Sequence, residues 1–304
     1  MSSSMSIFDR RLVRDHKDRA ATYFDQYNFL YDEVAMRLVD RLNDTKKTFN
    51  TALDLGCCNG VILPHLTERR DIIELFHSNM SEPMARTVRK IDNEAIVFVS
   101  DEEFLPVSEN SLDLIISNLN LHWVNDLPGA LIQIRKALRP DGLFLASLFG
   151  GRTLKELRLA LQLAETEICG GMSPRVSPFI DVRDAGNLLT RAGFALPVTD
   201  VDTIEVTYDD MFKLMADIRG TGDNNSILQR HKKNTHRNLF SLAAKIYETE
   251  FSNNDSRIKA TFDIVFLTAW APHLSQQKSL RPGSASVRLA DALGSYEVKL
   301  KDNI

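Results

Sequence analysis

Cysteine is scarce in this 304-residue chain, which has three, two of them adjacent at Cys57-Cys58. That spacing offers neither a metal-ligand motif nor a disulfide framework, so no metal is expected and a reducing compartment is. An excess of positive charge is missing as well. Lysine and arginine number 37 against 41 aspartates and glutamates, for a net charge of −4 and a pI of about 6.0, which speaks against a nucleic-acid footprint or a basic membrane patch. No apolar run is long enough to span a bilayer, so an integral membrane segment is not expected. Met1–Asp18 has basic residues, but Asp9, Asp15 and Asp18 interrupt them and there is no apolar core. It reads as neither a secretory signal nor a transit peptide. Nor is there an internal repeat, and the length suits one elaborated domain or two.

What the chain does have is an acidic, glycine-punctuated loop, Leu53-Asp54-Leu55-Gly56-Cys57-Cys58-Asn59-Gly60, closing the apolar run Thr51–Leu55 and opening a helical pattern. A strand that ends in Asp54 and turns through Gly56 lets backbone N–H groups and a helix N-terminus come close to a ligand. Dinucleotide sites place their acidic residue about 20 residues after the glycines. Here the acid precedes the first glycine, and Asp-x-Gly-x-x-x-Gly after a strand resembles the cofactor loop of class I S-adenosylmethionine methyltransferases.

Further apolar runs follow in the order a doubly wound sheet requires. Asp71–Phe76 stops at His77-Ser78-Asn79, Ala95–Val99 at Ser100-Asp101, and Ser111–Ser117 at Asn118, while Gly142–Leu148 follows the turn Pro140-Asp141-Gly142. Ligands of open parallel sheets sit outside the carboxyl ends of the strands, so Asp54, Asn79, Asp101 and Asn118 are expected to face one crevice. Asp18–Leu42 reads as one amphipathic helix whose aromatics Tyr23, Phe24, Tyr27, Phe29 and Tyr31 either pack in the core or form a lid. Arg152–Glu167 and Asp181–Ala192 read as helices, the latter capped at Gly193. Leu196–Val206 and Lys259–Trp270 read as a final antiparallel strand pair, interrupted by helical patterns at Asp209–Ile218 and Arg237–Phe251 beside the substrate opening. The expected organisation is a helical cap over 1–45, a Rossmann-like cofactor core over 46–150, a completion over 151–290 with a helical insert at about 209–256, and a tail over 291–304. The fold class is α/β, with a seven-stranded, mostly parallel sheet.

Longer segments carry a more specific resemblance. Asp101-Glu102-Glu103-Phe104-Leu105-Pro106, the run from Ser117-Asn118 through Leu121-His122-Trp123-Val124-Asn125-Asp126-Leu127-Pro128, and Leu161 to Glu167 closely resemble the family of the mitochondrial respiratory complex I assembly factor five. Phe149-Gly150-Gly151, Ser173-Pro174 to Ser177-Pro178-Phe179, Arg191 to Phe194 and Arg281 to Ala285 do so too. The resemblance implies a methyltransferase-like fold, arginine hydroxylation, and a protein substrate among complex I subunits. A more distant one runs to the malonyl-acyl-carrier-protein O-methyltransferase of biotin synthesis. Without a transit peptide the expected source is a bacterial cytoplasm, or the mitochondrial matrix if the chain is eukaryotic.

The expected cofactor is S-adenosylmethionine, held by Asp54, Leu55, Gly56, Cys58, Gly60, Asn79, Met80, Asp101, Glu102 and Asn118. Two of these depart from the family pattern, which has glycine at Cys58 and a carboxylate at Asn79. Cys58 is expected to suffer positive-φ strain and to crowd the cofactor, and Asn79 to weaken ribose recognition. His122 is the candidate base, with Trp123 beside it. His273 and Arg281 are further candidates on the substrate side. Hydroxylation needs an oxidant, and no His-x-Asp/Glu pair with a distant histidine forms an iron triad. The loop therefore favours methyl transfer and the resemblance arginine hydroxylation, with a noncatalytic assembly chaperone as the third reading.

Overall fold

A computed structural model describes residues 6–67, 69, 71–232, 235–253, 255–277 and 283–296. Seven strands form one sheet: β1 Phe49–Leu55, β2 Ile72–Asn79, β3 Ile96–Val99, β4 Leu112–Asn118, β5 Leu138–Phe149, β6 Ala195–Tyr208 and β7 Ile258–Trp270. Their order is β3-β2-β1-β4-β5-β7-β6, parallel except for β7, which runs antiparallel to both β5 and β6. The order reverses between β1 and β4, which puts the crevice beyond their carboxyl ends.

Alternation along the central strands explains why both faces are covered. Leu114 and Ile116 of β4 belong to one core cluster, and Ile115 to another on the opposite face. The helices in chain order are α1 Arg10–Ala20, α2 Phe29–Asn43, α3 Leu63–Leu66, α4 Glu82–Ile91, α5 Leu127–Ala137, α6 Lys155–Cys169, α7 Val182–Arg191, α8 Met211–Gly220, α9 Arg237–Phe251 and α10 Leu289–Leu293. α2, α6, α8 and α9 bury residues in the first cluster, α5 and α7 in the second. Side-chain caps fix several starts: Ser81 accepts from Met84 N, Asp126 from Gly129 N and Asp210 from Lys213 N.

The architecture is the expected one, including the antiparallel pair interrupted by α8 and α9. Three local expectations change. Asp18–Leu42 is two helices, α1 and α2, separated by a 3₁₀ turn at Phe24–Gln26. The break frees the carbonyl of Ala21 to accept from Asn59 Nδ2 at 3.0 Å. It also lets Tyr27 lie against Gly220, where a Cβ would come within 2.2 Å of the ring. The aromatics divide accordingly: Phe24 and Tyr31 are buried in the core, while Tyr23 and Phe29 are exposed. β2 continues through His77 and Ser78 to Asn79, because β3 pairs with it as far as Asn79. Finally, β5 already begins at Leu138, and a register shift between the pairs Leu112–Leu138 and Leu114–Leu143, with the extra residues on β5, accommodates the Pro140-Asp141-Gly142 segment.

A first compact unit ends at Pro272 and a second begins at His273. In the second, α10 ends at Gly294 with φ 60°. His273 hydrogen-bonds Ser275 Oγ through Nδ1 at 2.6 Å, and Arg281 lies outside the described residues.

Candidate functional site

The loop after β1 turns left-handed at Gly56, Asn59 and Gly60, with φ of 86°, 47° and 74°. Cys58 is not among the positive-φ residues, so the expected strain falls on Asn59 instead, an amino acid that tolerates that region. Asn59 is held there by its amide bonds to Ala21 O and Asp25 Oδ1. The Cys58 side chain packs in the main core with Phe24 and Met84. Gly56 is required by close approach, since a Cβ would sit 2.2 Å from Asn120 Cγ.

Asp54, at the end of β1, is buried and lies 3.1 Å from His77 Nδ1, its register partner on β2. Together with Cys57 they bring three donor atoms within 4.8 Å of one another. Burial, then the charge of Asp54, pushes the Cys57 thiol well above its ordinary value. The trio is thus a buried thiol with a raised pKa beside a carboxylate engaged by His77.

Asn79 is buried, and its Oδ1 accepts from Ser81 N at 2.8 Å, turning the chain into α4. Met80 packs with Phe8, Val13, Trp123 and Ile227. Asp101 is part-exposed; one oxygen accepts from Arg10 Nη2 at 2.6 Å and from Glu103 N at 2.9 Å. Glu102 is buried, accepting from Asn120 Nδ2 at 2.8 Å and from Arg10. Two expected cofactor residues make scaffold contacts. Asn118 spends its amide on Tyr31 O and Ser147 Oγ, both at 2.9 Å. Leu55 is in the core behind the sheet, and its carbonyl accepts from Ser117 Oγ at 2.7 Å.

His122 and Trp123 form a 3₁₀ turn past β4, and both are buried. Neither imidazole nitrogen has a hydrogen-bond partner, and the ring packs against Trp123, Phe149 and Phe179. Burial, moderated by Asp223, lowers its pKa to about 3. At neutral pH burial therefore favours the neutral imidazole.

A second set of residues, whose charges reach Cys58 of the glycine loop, holds what the sequence did not reveal. Asp223, in the polar stretch between α8 and α9, accepts from Lys17 Nζ at 2.9 Å, Tyr31 Oη at 2.8 Å, Thr221 Oγ1 at 2.8 Å and Trp123 Nε1 at 3.2 Å. Lys17 is 2% exposed. Burial alone would lower its pKa, but the charge and hydrogen bond of Asp223 outweigh that and raise it. Arg10, at the start of α1, joins Asp101 and Glu102 to the Trp123 carbonyl. Beside Asp223 a cavity of about 200 Å³ opens between α6, α8 and α9, lined by Leu157, Leu161, Phe179, Met215 and Phe240. A larger one, about 660 Å³, lies along β2 and is lined by Leu63, His77 and Ile91 among others.

The residues present fit S-adenosylmethionine. Gly56 turns the loop with φ 86° against the Asn120 side chain, Asn79 closes the second strand, and Asp101 keeps a carboxylate oxygen at the third. Residues 53–146 match the family described as a methyltransferase domain. The chain is 43% identical over 290 residues to a mitochondrial arginine-hydroxylase NDUFAF5 of Danio rerio, covering 94% of this chain and 89% of that protein. It is 34% identical over 270 residues to a malonyl-[acyl-carrier protein] O-methyltransferase of Xylella fastidiosa, covering 88% and 89%. Among solved structures, the YcgJ protein of Bacillus subtilis shares the fold, with a TM-score of 0.55 at 12% identity over 78% of this chain and 98% of that one.

Proposed function

We infer that this chain, which belongs to the methyltransferase-like family of the mitochondrial arginine hydroxylase NDUFAF5, is an S-adenosylmethionine-binding enzyme that modifies an arginine of a respiratory complex I protein in the mitochondrial matrix. The observation that carries it is the 43% identity across 94% of this chain and 89% of the relative. That span takes in the segment between α8 and α9 that supplies Asp223, not the cofactor loop alone. The same relative favours mitochondria over the bacterial cytoplasm expected from the N-terminus, since the bacterial relative stands at 34%.

S-adenosylmethionine, when bound, supplies an activated methyl group. Asp54 and Gly56 shape the loop that receives it, Asn79 meets the ribose, and the open oxygen of Asp101 accepts from the adenine amino group. Arg10 shares Asp101 with the ligand and fixes α1 over the crevice. Trp123 and the His122 imidazole line the substrate side, where His122 serves as a neutral hydrogen-bonding group for the incoming side chain. The apolar walls of the adjoining cavity exclude water from that side.

The test compares the intact masses of complex I subunits from cells with and without the gene, followed by fragmentation to the modified residue. Gain of one oxygen on an arginine supports hydroxylation, and gain of one methylene supports methyl transfer to protein. No modified arginine in either sample overturns an arginine-modifying role and leaves the assembly chaperone. The identity to the Xylella enzyme favours one alternative, and conversion of malonyl-acyl-carrier protein to its methyl ester by the purified protein establishes it.

A further inference from the structure

The two edges of the sheet are finished differently. β6 carries Asp200, Asp202 and Glu205, which pair with Arg41, Arg37 and Lys259, the kind of charged decoration that keeps an edge strand from recruiting another chain. β3 has no such guard. It is four residues long and pairs with β2 only from Phe76 to Asn79, so that among the described residues Ile72–Leu75 of β2 has a partner strand only on its β1 side.

The resulting notch holds the cavity of about 660 Å³, where Ile73 is 70% exposed, Ile91 55% and Ile96 45%. A second groove of about 360 Å³ flanks β3, lined by Phe76, Phe98 and Val107. Ser100 N donates inward to the Asn79 carbonyl. By the period-two alternation of a strand, Val97 and Val99 then turn their N–H and C=O groups outward. Glu74, Asp92 and Glu94 line the notch, and none of them forms an ion pair among the described residues.

We propose that the β3 edge and the notch beside it are a docking site for an extended segment of a protein partner in which apolar residues alternate with lysine or arginine. Pairing with β3 completes the ladder; the apolar side chains, all on one face of the added strand, enter the groove lined by Phe76, Phe98 and Val107, and the basic ones, on its other face, meet the acidic notch at Asp92 and Glu94. A second copy of this chain is the wrong occupant, because edge-to-edge pairing of two copies sets the acidic rims against each other.

The probe is a fluorescein-labelled peptide of about ten residues, the upper range of a strand, alternating valine and lysine, with a valine–glutamate peptide of the same length as control. Fluorescence anisotropy is expected to show binding of the lysine peptide and none of the glutamate peptide. Affinity should fall about tenfold, the equivalent of losing one good contact, with Ile73→Lys, and also with Val97→Pro, which removes an outward donor. Because Ile73 is mostly exposed, Ile73→Lys does not endanger folding, and a thermal melt checks both variants. N-methylation of alternate peptide residues should abolish binding while leaving the charge unchanged. The proposal is overturned if the lysine peptide does not bind, if the variants and the N-methylated peptide bind as tightly as the parents, or if sedimentation shows a dimer that Ile73→Lys dissolves.

Discussion

The two walls of the crevice are built on different principles. On one side Asp54, Gly56, Asn79 and Asp101 stand at or just beyond the ends of β1, β2 and β3, each placed by its own strand. On the other, Lys17 of α1, Tyr31 of α2, Trp123 past β4 and Asp223 between α8 and α9 meet only because four distant segments fold together. The first wall is set mainly by where the strands end and by how the glycine loop turns. The second is set by a buried charge and its hydrogen bonds, so removal of one partner leaves the others unsatisfied.

The largest expected effect lies in that second wall. Asp223→Leu leaves the Lys17 ammonium buried and unpaired, which should cost about 3–5 kcal/mol of stability. Lys17→Met combined with Asp223→Leu removes both charges and should recover most of the loss. Urea denaturation measures both, and equal stability of the single and double variants would show that the ion pair does not hold α1 to the insert.

His122 makes the same wall sensitive to acid. Its pKa is 6.5 in the unfolded chain and about 3 in the fold, so below pH 6.5 the unfolded state binds a proton that the folded state does not. Stability from this group is therefore complete above pH 6.5 and is lost progressively as the pH falls towards 3, at about 1.4 kcal/mol per pH unit in the steep part. His122→Phe should flatten the profile between pH 6 and 4 relative to the parent. Parallel profiles would mean that the imidazole is protonated within the fold.

On the first wall the effects are smaller and local. Gly56→Ala forces a Cβ to within 2.2 Å of Asn120 Cγ at a φ of 86°. The left-handed backbone alone costs about 1–2 kcal/mol. Cofactor affinity by calorimetry should drop with it, and an unchanged affinity would place the ligand away from this loop.

What could be read from the sequence follows the same division. The strands ending at Asp54, Asn79 and Asn118 were legible because a parallel sheet writes itself as short apolar runs with polar ends. The insert was legible as two helical patterns between strand-like runs. His77 was misplaced because a buried polar residue inside a strand looks like the strand's end. For Asn118 the position at the strand end was legible, but nothing local shows that its amide also bonds Tyr31 and Ser147. Arg10, Lys17 and Asp223 lie in charged, polar stretches where solvation is the ordinary expectation, and only tertiary contact between residues more than 90 apart gives them meaning.

The smallest expected effect concerns the two departures from the cofactor pattern, which the structure separates. Cys58 is outside the positive-φ residues and packs in the core, so Cys58→Gly relieves no strain and should leave cofactor affinity unchanged while loosening the packing around Phe24. Asn79→Asp keeps the acceptor that holds Ser81 N and replaces the amide nitrogen with a second, charged acceptor for a ribose hydroxyl. A charged hydrogen bond in place of a neutral one is worth on the order of 1 kcal/mol, or about fivefold in affinity. Isothermal titration with S-adenosylhomocysteine should therefore show several-fold tightening for Asn79→Asp and none for Cys58→Gly. If Cys58→Gly tightened binding instead, the thiol would have to reach the ligand. The glycine-loop wall would then depend on a side chain after all, and the contrast between the two walls would fail.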